Sequence, residues 1–275
     1  MSIAGISDRE GNSEPPTPLL TVSNLTKRYG AMTAVNDLSF TANQGEVLGI
    51  SGPNGAGKTT LFDLISCLTT PTSGSIRFGD IDVTKFSAVE LCHFGIARTF
   101  QLNAVFETMT VRENLECSAY FGSGNRLVPG LRFDSAARER AREVAEMVGL
   151  VDRIDTIASS LPVLQRKLLM LGSALAANPR LLLLDEPVGG LNATEIEHCA
   201  RIVRRLRDMH GMTIILIEHV MSFLTSLSDR IVILHHGSKL YEGSAAGLAE
   251  DQNVVEVYLG ASGASAVKAA LTAER

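Results

Sequence analysis

Short apolar runs alternate with helical patterns along most of this chain. Residues 47–51 form a compact apolar run, and from Lys58 the apolar positions fall at helical spacing. The order recurs downstream: residues 181–184 give way to a helix from about Ala193, with further runs at 213–218 and 231–234. Runs this short, separated by helices, predict a mainly parallel sheet with helices packed on it. Ahead of them, residues 19–42 and 75–83 place turn residues between apolar stretches and predict antiparallel strands.

The section from about 101 to 176 differs, because it carries helix signals with little strand character. Thr110-Val-Arg-Glu113 is a capping box, whose hydroxyl and carboxylate satisfy orphan amides at a helix start. Asp134 is placed to cap a second helix in which Ala137, Ala141, Val144, Ala145 and Val148 recur at helical spacing up to Gly149. The pattern therefore predicts a helical subdomain inserted into an α/β core, within a single domain over 18–260. Residues 1–17, rich in Ser, Gly, Pro and acidic side chains, read as a flexible leader, and 261–275 as a tail.

Composition narrows the functional classes. A chain of 275 residues with 45% hydrophobic side chains can build its core without staples. No stretch approaches the roughly 20 apolar residues that cross a bilayer; the densest run is stopped by Asp185 and Glu186. Asp8, Glu10 and Glu14 near the start do not suit a secretory signal, which predicts a cytoplasmic chain. A net charge of -5 argues against a nucleic-acid partner. The run Arg201, Arg204, Arg205 and Arg207 is interleaved with Ile202, Val203 and Leu206, so it reads as the solvated face of a helix. Cys67, Cys92, Cys117 and Cys199 stand far apart and read as buried thiols rather than a disulfide or zinc framework.

The chemistry concentrates after the first core strand. Gly52, Pro53, Asn54, Gly55, Ala56, Gly57, Lys58, Thr59 and Thr60 match the phosphate-loop pattern in full, between an apolar strand and an amphipathic helix. Glycines let the backbone approach phosphate oxygens, successive amides and the helix start supply positive potential, the Lys58 ammonium reaches the terminal phosphates, and the Thr59 hydroxyl can ligate Mg²⁺. ATP with Mg²⁺ is the expected ligand. At the end of a second buried strand, Asp185 is placed to hold the metal ion, and Glu186 to polarise an attacking water as general base.

The residues around these elements make the chain similar to the ATPases of ABC transporters from about Leu19 to Gly260. The resemblance implies a P-loop NTPase core with an antiparallel β subdomain and an inserted α-helical subdomain. It implies adenine stacking for Tyr29, contact with Mg²⁺ and the attacking water for Gln101 in Arg98-Thr-Phe-Gln101, and contact with the γ-phosphate for His219. The segments Ala97-Arg-Thr-Phe-Gln101, Phe106-Glu-Thr-Met-Thr-Val111, Ser228-Asp-Arg230 and Val257-Tyr-Leu-Gly260 resemble, more closely, ATPases of high-affinity branched-chain amino-acid importers. That resemblance implies two membrane-spanning permease subunits, a second ATPase subunit, a periplasmic or extracellular solute-binding protein, and a peripheral place on the cytoplasmic face of the inner membrane. Lipid or lipopolysaccharide export, and a soluble ABC ATPase outside transport, share most of the motifs and stand as alternatives.

One segment departs from the family pattern. Where ABC ATPases usually carry Leu-Ser-Gly-Gly-Gln, this chain has Leu161-Pro162-Val163-Leu164-Gln165. Pro162 removes a hydroxyl and an amide donor, and Val163 and Leu164 put side chains where glycine permits close backbone approach. Since the family uses this segment on the opposite subunit's ATP, the expected pairing is with a different ATPase chain; the alternative is that this branch tolerates the change with unaltered turnover.

Overall fold

The computed structural model describes residues 17–100, 105–122 and 134–259. Two sheets organise them. Strands β1 (Pro18–Tyr29), β2 (Met32–Asn43), β4 (Ser73–Phe78) and β5 (Ile81–Asp82) form an antiparallel sheet in the order β2-β1-β4-β5. The second sheet has the order β10-β9-β3-β8-β7-β6, built from β3 (Val47–Ser51), β6 (Ile96–Arg98), β7 (Leu181–Asp185), β8 (Thr213–Ile217), β9 (Arg230–His235) and β10 (Ser238–Gly243). Its pairings are parallel except for the β9/β10 hairpin. The expected antiparallel and parallel layers are both present. β6, β10 and helix α2 (Ala88–Phe94) were not foreseen: β6 is too short to show a periodicity, and β10 is only half-buried.

Strand alternation assigns each layer its core. Leu181 and Leu183 of β7 pack with Leu48, Ile50, Ile215 and Ile217 on one face, against helix α1 (Lys58–Ile65) and the antiparallel sheet. Leu182 and Leu184 point the other way with Ile214 and Leu216, against helices α6 (Ala193–His210) and α7 (Met221–Leu227) and the helical part of the chain. Successive side chains leave a strand on opposite faces, so a sheet covered on both sides needs unbroken apolar strands. α7 lies against Gly49, where an added Cβ would come within 2.4 Å of Ser228 Oγ.

The helical section comprises α3 (Val111–Gly122), α4 (Ser135–Met147) and α5 (Val163–Ala176). The caps read from sequence are made. Thr110 N–H donates to Glu113 Oε2 at 2.8 Å, and Glu113 N–H to Thr110 Oγ1 at 3.2 Å. Asp134 Oδ1 accepts from Ala137 N–H at 2.9 Å, and beyond α4 the chain turns at Gly149, with φ 73°. Gly172 of α5 lets Leu115 and Val144 close over it, since a Cβ there would lie 3.0 Å from Leu115. On α6, Arg204 pairs with Glu197 and Arg207 with Asp208 and Asp229, as suits an outward face. Of the cysteines only Cys199 is buried; Cys67, Cys92 and Cys117 are half-buried, which corrects the expectation of four buried thiols. They lie on partly solvated elements that the apolar pattern alone does not separate from the core.

Arg230 ties the two sheets together. Its guanidinium donates to Glu46 Oε1 at 2.8 Å and to the Thr41 carbonyl at 2.6 Å, and it pairs with Glu242. The Glu46 carboxylate is buried, so deleting its cation strands a charge away from water. Replacing Arg230 with Met is expected to lower unfolding free energy by about 3 kcal/mol, read as a shift in urea midpoint at unchanged slope.

Candidate active site

Three neighbouring parallel strands deliver the candidate residues. β3 and β8 pair Ile50 with Ile217, and β7 and β8 pair Asp185 with Ile217. The residues that follow, Ser51, Glu218 and Glu186, therefore leave one edge of the sheet side by side. After Ser51 the backbone takes left-handed conformations at Gly55 (φ 80°) and Gly57 (φ 99°), and Gly52 has φ 149°. A Cβ at Gly52 would meet the Leu234 carbonyl at 2.2 Å, and one at Gly57 the Ala34 carbonyl at 2.3 Å. Only glycine fits at these two positions.

The loop is arranged as an anion cradle. α1 begins at Lys58 with Gly57 as its N-cap and no side chain bonded to its first amides. Lys58, 7% exposed, donates from Nζ to the carbonyls of Gly52 (2.7 Å) and Pro53 (2.9 Å). Burial lowers its pKa, while the carboxylates of Glu186 and Asp185 act in the opposite sense. Asn54, Gly55 and Thr59 are exposed, Pro53, Gly57 and Thr60 half-buried, and Gly52 and Ala56 buried.

Asp185 is buried, and its Oδ2 accepts from Arg98 Nη2 at 2.8 Å. The same guanidinium donates to Asp63 Oδ1 (2.7 Å) and Ser66 Oγ (3.1 Å) at the α1 end of the site. Asp185 N–H donates to Thr99 Oγ1 at 3.2 Å. Arg98 and Thr99 thus stitch β6 to the end of β7, two residues before Gln101.

Glu186 has φ 48°, a left-handed conformation that costs a non-glycine residue about 1–3 kcal/mol. Its N–H donates to the Ile217 carbonyl at 3.0 Å, and its carbonyl accepts from Lys167 Nζ of α5 at 3.2 Å. The side chain is turned toward His219, with Oε1 3.0 Å from Nε2 and both groups about one-third exposed. A half-solvated carboxylate held against an imidazole can take a proton from water.

The remaining predicted residues divide. Tyr29 ends β1 with its ring exposed, and the Lys27 ammonium lies 4.9 Å from the ring centroid. Gln101 lies outside the described residues. Pro162 is the N-cap of α5, and its own side chain makes no capping bond; Val163 is exposed and Leu164 packs against the core. Gln165 Oε1 is buried, with no hydrogen-bond partner among the described residues. Asn192 and Glu195 form a reciprocal capping box on α6, at 2.9 and 3.1 Å. Among the described residues no group of three or more His, Cys, Asp or Glu is placed to hold a metal.

Sequence reasoning did not single out Glu218, whose carboxylate is 2% exposed and bonded to three backbone amides of the site. Its one sequence signal is a carboxylate closing an apolar strand. Arg98 was legible only as part of a motif.

A family model described as "ABC transporter" matches residues 35–189, from β2 through the phosphate loop to the turn after Glu186. The chain belongs to the ABC transporter family. The ATP-binding protein BraF of high-affinity branched-chain amino acid transport in Pseudomonas aeruginosa is 33% identical over 250 residues, 88% of this chain and 98% of that one. LivG of Escherichia coli, named for the same transport, is 34% identical over the same shares. The lipopolysaccharide export ATP-binding protein LptB of Escherichia coli is 31% identical over 88% of this chain and 97% of its own. Among solved structures, the ADP conformation of an ATP-binding cassette of an ABC transporter superposes with TM-score 0.81 at 30% identity, covering 89% of this chain and 99% of that one. A dimeric bacterial ABC transporter cassette reaches TM-score 0.72 at 26% identity, with 82% and 98% covered. As a member of this family, the ABC transporter ATPase binds and hydrolyses ATP.

Replacing Gly57 with Ala is expected to weaken ATP binding by at least about a hundredfold and to destabilise the fold by about 1–3 kcal/mol, because a left-handed residue would also clash with backbone. Fluorescent-nucleotide titration and thermal melting read the two effects separately.

Proposed function

We propose that this ABC transporter ATPase energises import of branched-chain or related amino acids, working from the cytoplasmic face of the inner membrane beneath two permease subunits. The reading is carried by the Glu186–His219 pair set beside a phosphate cradle that requires glycine at 52 and 57, and supported by the BraF and LivG relatives. Among the described residues no helix is long and apolar enough to cross a membrane; the membrane-spanning partners are part of the proposed reading. A periplasmic or extracellular binding protein would act through those partners.

In the proposed cycle Tyr29 stacks on adenine, the loop amides from Gly52 to Thr60 wrap the phosphates, and Lys58 moves from loop carbonyls to the terminal phosphates. Thr59, Asp185 and Gln101 offer oxygen donors suited to a hard cation. Mg²⁺ held there would neutralise charge on the β- and γ-phosphates. Glu186 accepts a proton from water; the resulting oxygen attacks the γ-phosphorus as the bond to ADP breaks. His219 donates a hydrogen bond to a γ-phosphate oxygen. With Glu186→Gln, ATP affinity should stay within about threefold while turnover falls by about 10²–10⁴, read by binding titration and phosphate release. Wild-type turnover in that variant removes Glu186 as the base.

The permease contact is assigned to an apolar groove of about 610 Å³ between α2, β6, α3 and α5, where Leu68, Val89, Phe100 and Phe121 are all exposed. A groove joining the α/β core to the helical section would transmit movement of that section to a bound membrane subunit.

The altered signature favours a second ATPase subunit that is a different chain. The start of α5 retains its free amides, worth roughly 0.3–1 kcal/mol toward an anion, but Val163 stands exposed where close backbone approach is needed. This subunit then contributes a sound phosphate loop and receives its missing signature from the partner. Changing Pro162, Val163 and Leu164 to Ser, Gly and Gly in the Glu186→Gln background should produce ATP-dependent homodimers in size-exclusion chromatography. Absence of any gain in self-association counts against the asymmetric pair.

A further inference from the structure

We propose that Glu218 is the positioning residue that sets the Glu186–His219 geometry, by bracing two active-site loops and the end of β3 from beneath. The inference rests on the assignment of Glu186 and His219 as the hydrolytic pair. Glu218 is 2% exposed, at the end of β8 between Ile217 and His219. One carboxylate oxygen accepts from His219 N–H at 2.7 Å and from Val220 N–H at 3.0 Å. The other accepts from Val188 N–H at 3.1 Å, in the turn two residues beyond Glu186. The Glu218 carbonyl accepts from Ser51 Oγ at 2.6 Å, immediately before the phosphate loop, and Ser51 Oγ also meets Tyr258 Oη at 2.8 Å. Its own N–H donates to the Ile50 carbonyl at 3.3 Å.

A single residue therefore holds the residue that begins the phosphate cradle, the turn following the general base, and the backbone of the imidazole. Amide donors from both loops converge on one carboxylate, so displacing either loop breaks a charge-assisted bond inside the protein. Lys167 of α5 hydrogen-bonds the Glu186 carbonyl; burial lowers its pKa, and the Glu218 charge acts in the opposite sense. Glu218 makes no claim on substrate; it acts through His219 and Glu186, whose side chains meet at 3.0 Å.

Replacement by Gln keeps the volume but turns an acceptor into an amide donor facing backbone N–H groups, so one of the two loops must give way. Replacement by Asp keeps the charge and shortens the reach, so one loop loses its brace while the other can keep it. Both variants are to be made in the full chain and assayed in the transporter complex purified through this subunit, beside Glu186→Gln, His219→Ala and the double variant Glu218→Gln with His219→Ala. The expected result for Glu218→Gln is a kcat at least about tenfold lower with KM for ATP within about threefold. Glu218→Asp should fall between it and wild type. In the double variant the two losses should combine to less than their product, because both act in part through His219.

Wild-type kcat in both Glu218 variants, beside a disabled Glu186→Gln, overturns the proposal alone. Full multiplication of the two losses in the double variant also overturns it, since general loosening of the fold acts independently of His219. Should Glu218→Gln fail to fold, Glu218→Asp combined with His219→Ala carries the same comparison. Turnover retained in both Glu186→Gln and His219→Ala would remove the hydrolytic pair itself, and the proposal with it.

Discussion

The site depends on the register of three parallel strands. β3, β8 and β7 are buried throughout, and their hydrogen-bond pairing sets Ile50, Ile217 and Asp185 at one level. A slip of one residue would turn every core side chain to the opposite face, exchanging two tightly packed layers. Such a slip is excluded by packing on both sides, so the ends of the strands are fixed relative to one another. The phosphate loop, the Asp185–Glu186 corner and the His219 loop then start from a common edge.

Buried charge is the second constraint. Lys58, Asp185 and Glu218 are each at least nine-tenths withdrawn from solvent, and each has hydrogen-bond partners among backbone or ionic groups. Burial of such groups stabilises little in net terms, but removing one partner leaves a charge that water cannot reach. Arg98 performs this service twice, meeting Asp185 from β6 and Asp63 on α1. Glu186 adds a strained backbone, held by the Ile217 carbonyl on one side and Lys167 on the other. Arg98, Lys167 and Glu218 hold the other groups of the candidate site in place.

In this subunit the phosphate loop and the start of α5 differ in how closely another group can approach their backbones. Its phosphate loop is shaped by glycines whose replacement would strike backbone at 2.2 and 2.3 Å. Its α5 terminus presents a proline cap and an exposed valine. The first requires close backbone approach and permits it; the second obstructs it. The proposed asymmetric pair rests on that steric difference.

Contiguity separates what the sequence by itself determined from what only the tertiary structure decided. The phosphate loop, the Asp185–Glu186 corner and the caps at Thr110, Asp134 and Asn192 were legible because each is a local device, with its chemistry within a few residues of chain. The alternation of apolar runs also specified the layers, since burial on one or two faces leaves its own period. Short β6 carried no such period. The Arg98–Asp185 pair joins residues 87 apart, and the Glu218–Val188 bond residues 30 apart. Neither Arg98 nor Glu218 is distinguished from a solvated side chain until strand register brings its partner into reach. Cation and carboxylate types were visible in the sequence; which carboxylate would hold which loop was a matter of register and burial, and those belong to the folded chain alone.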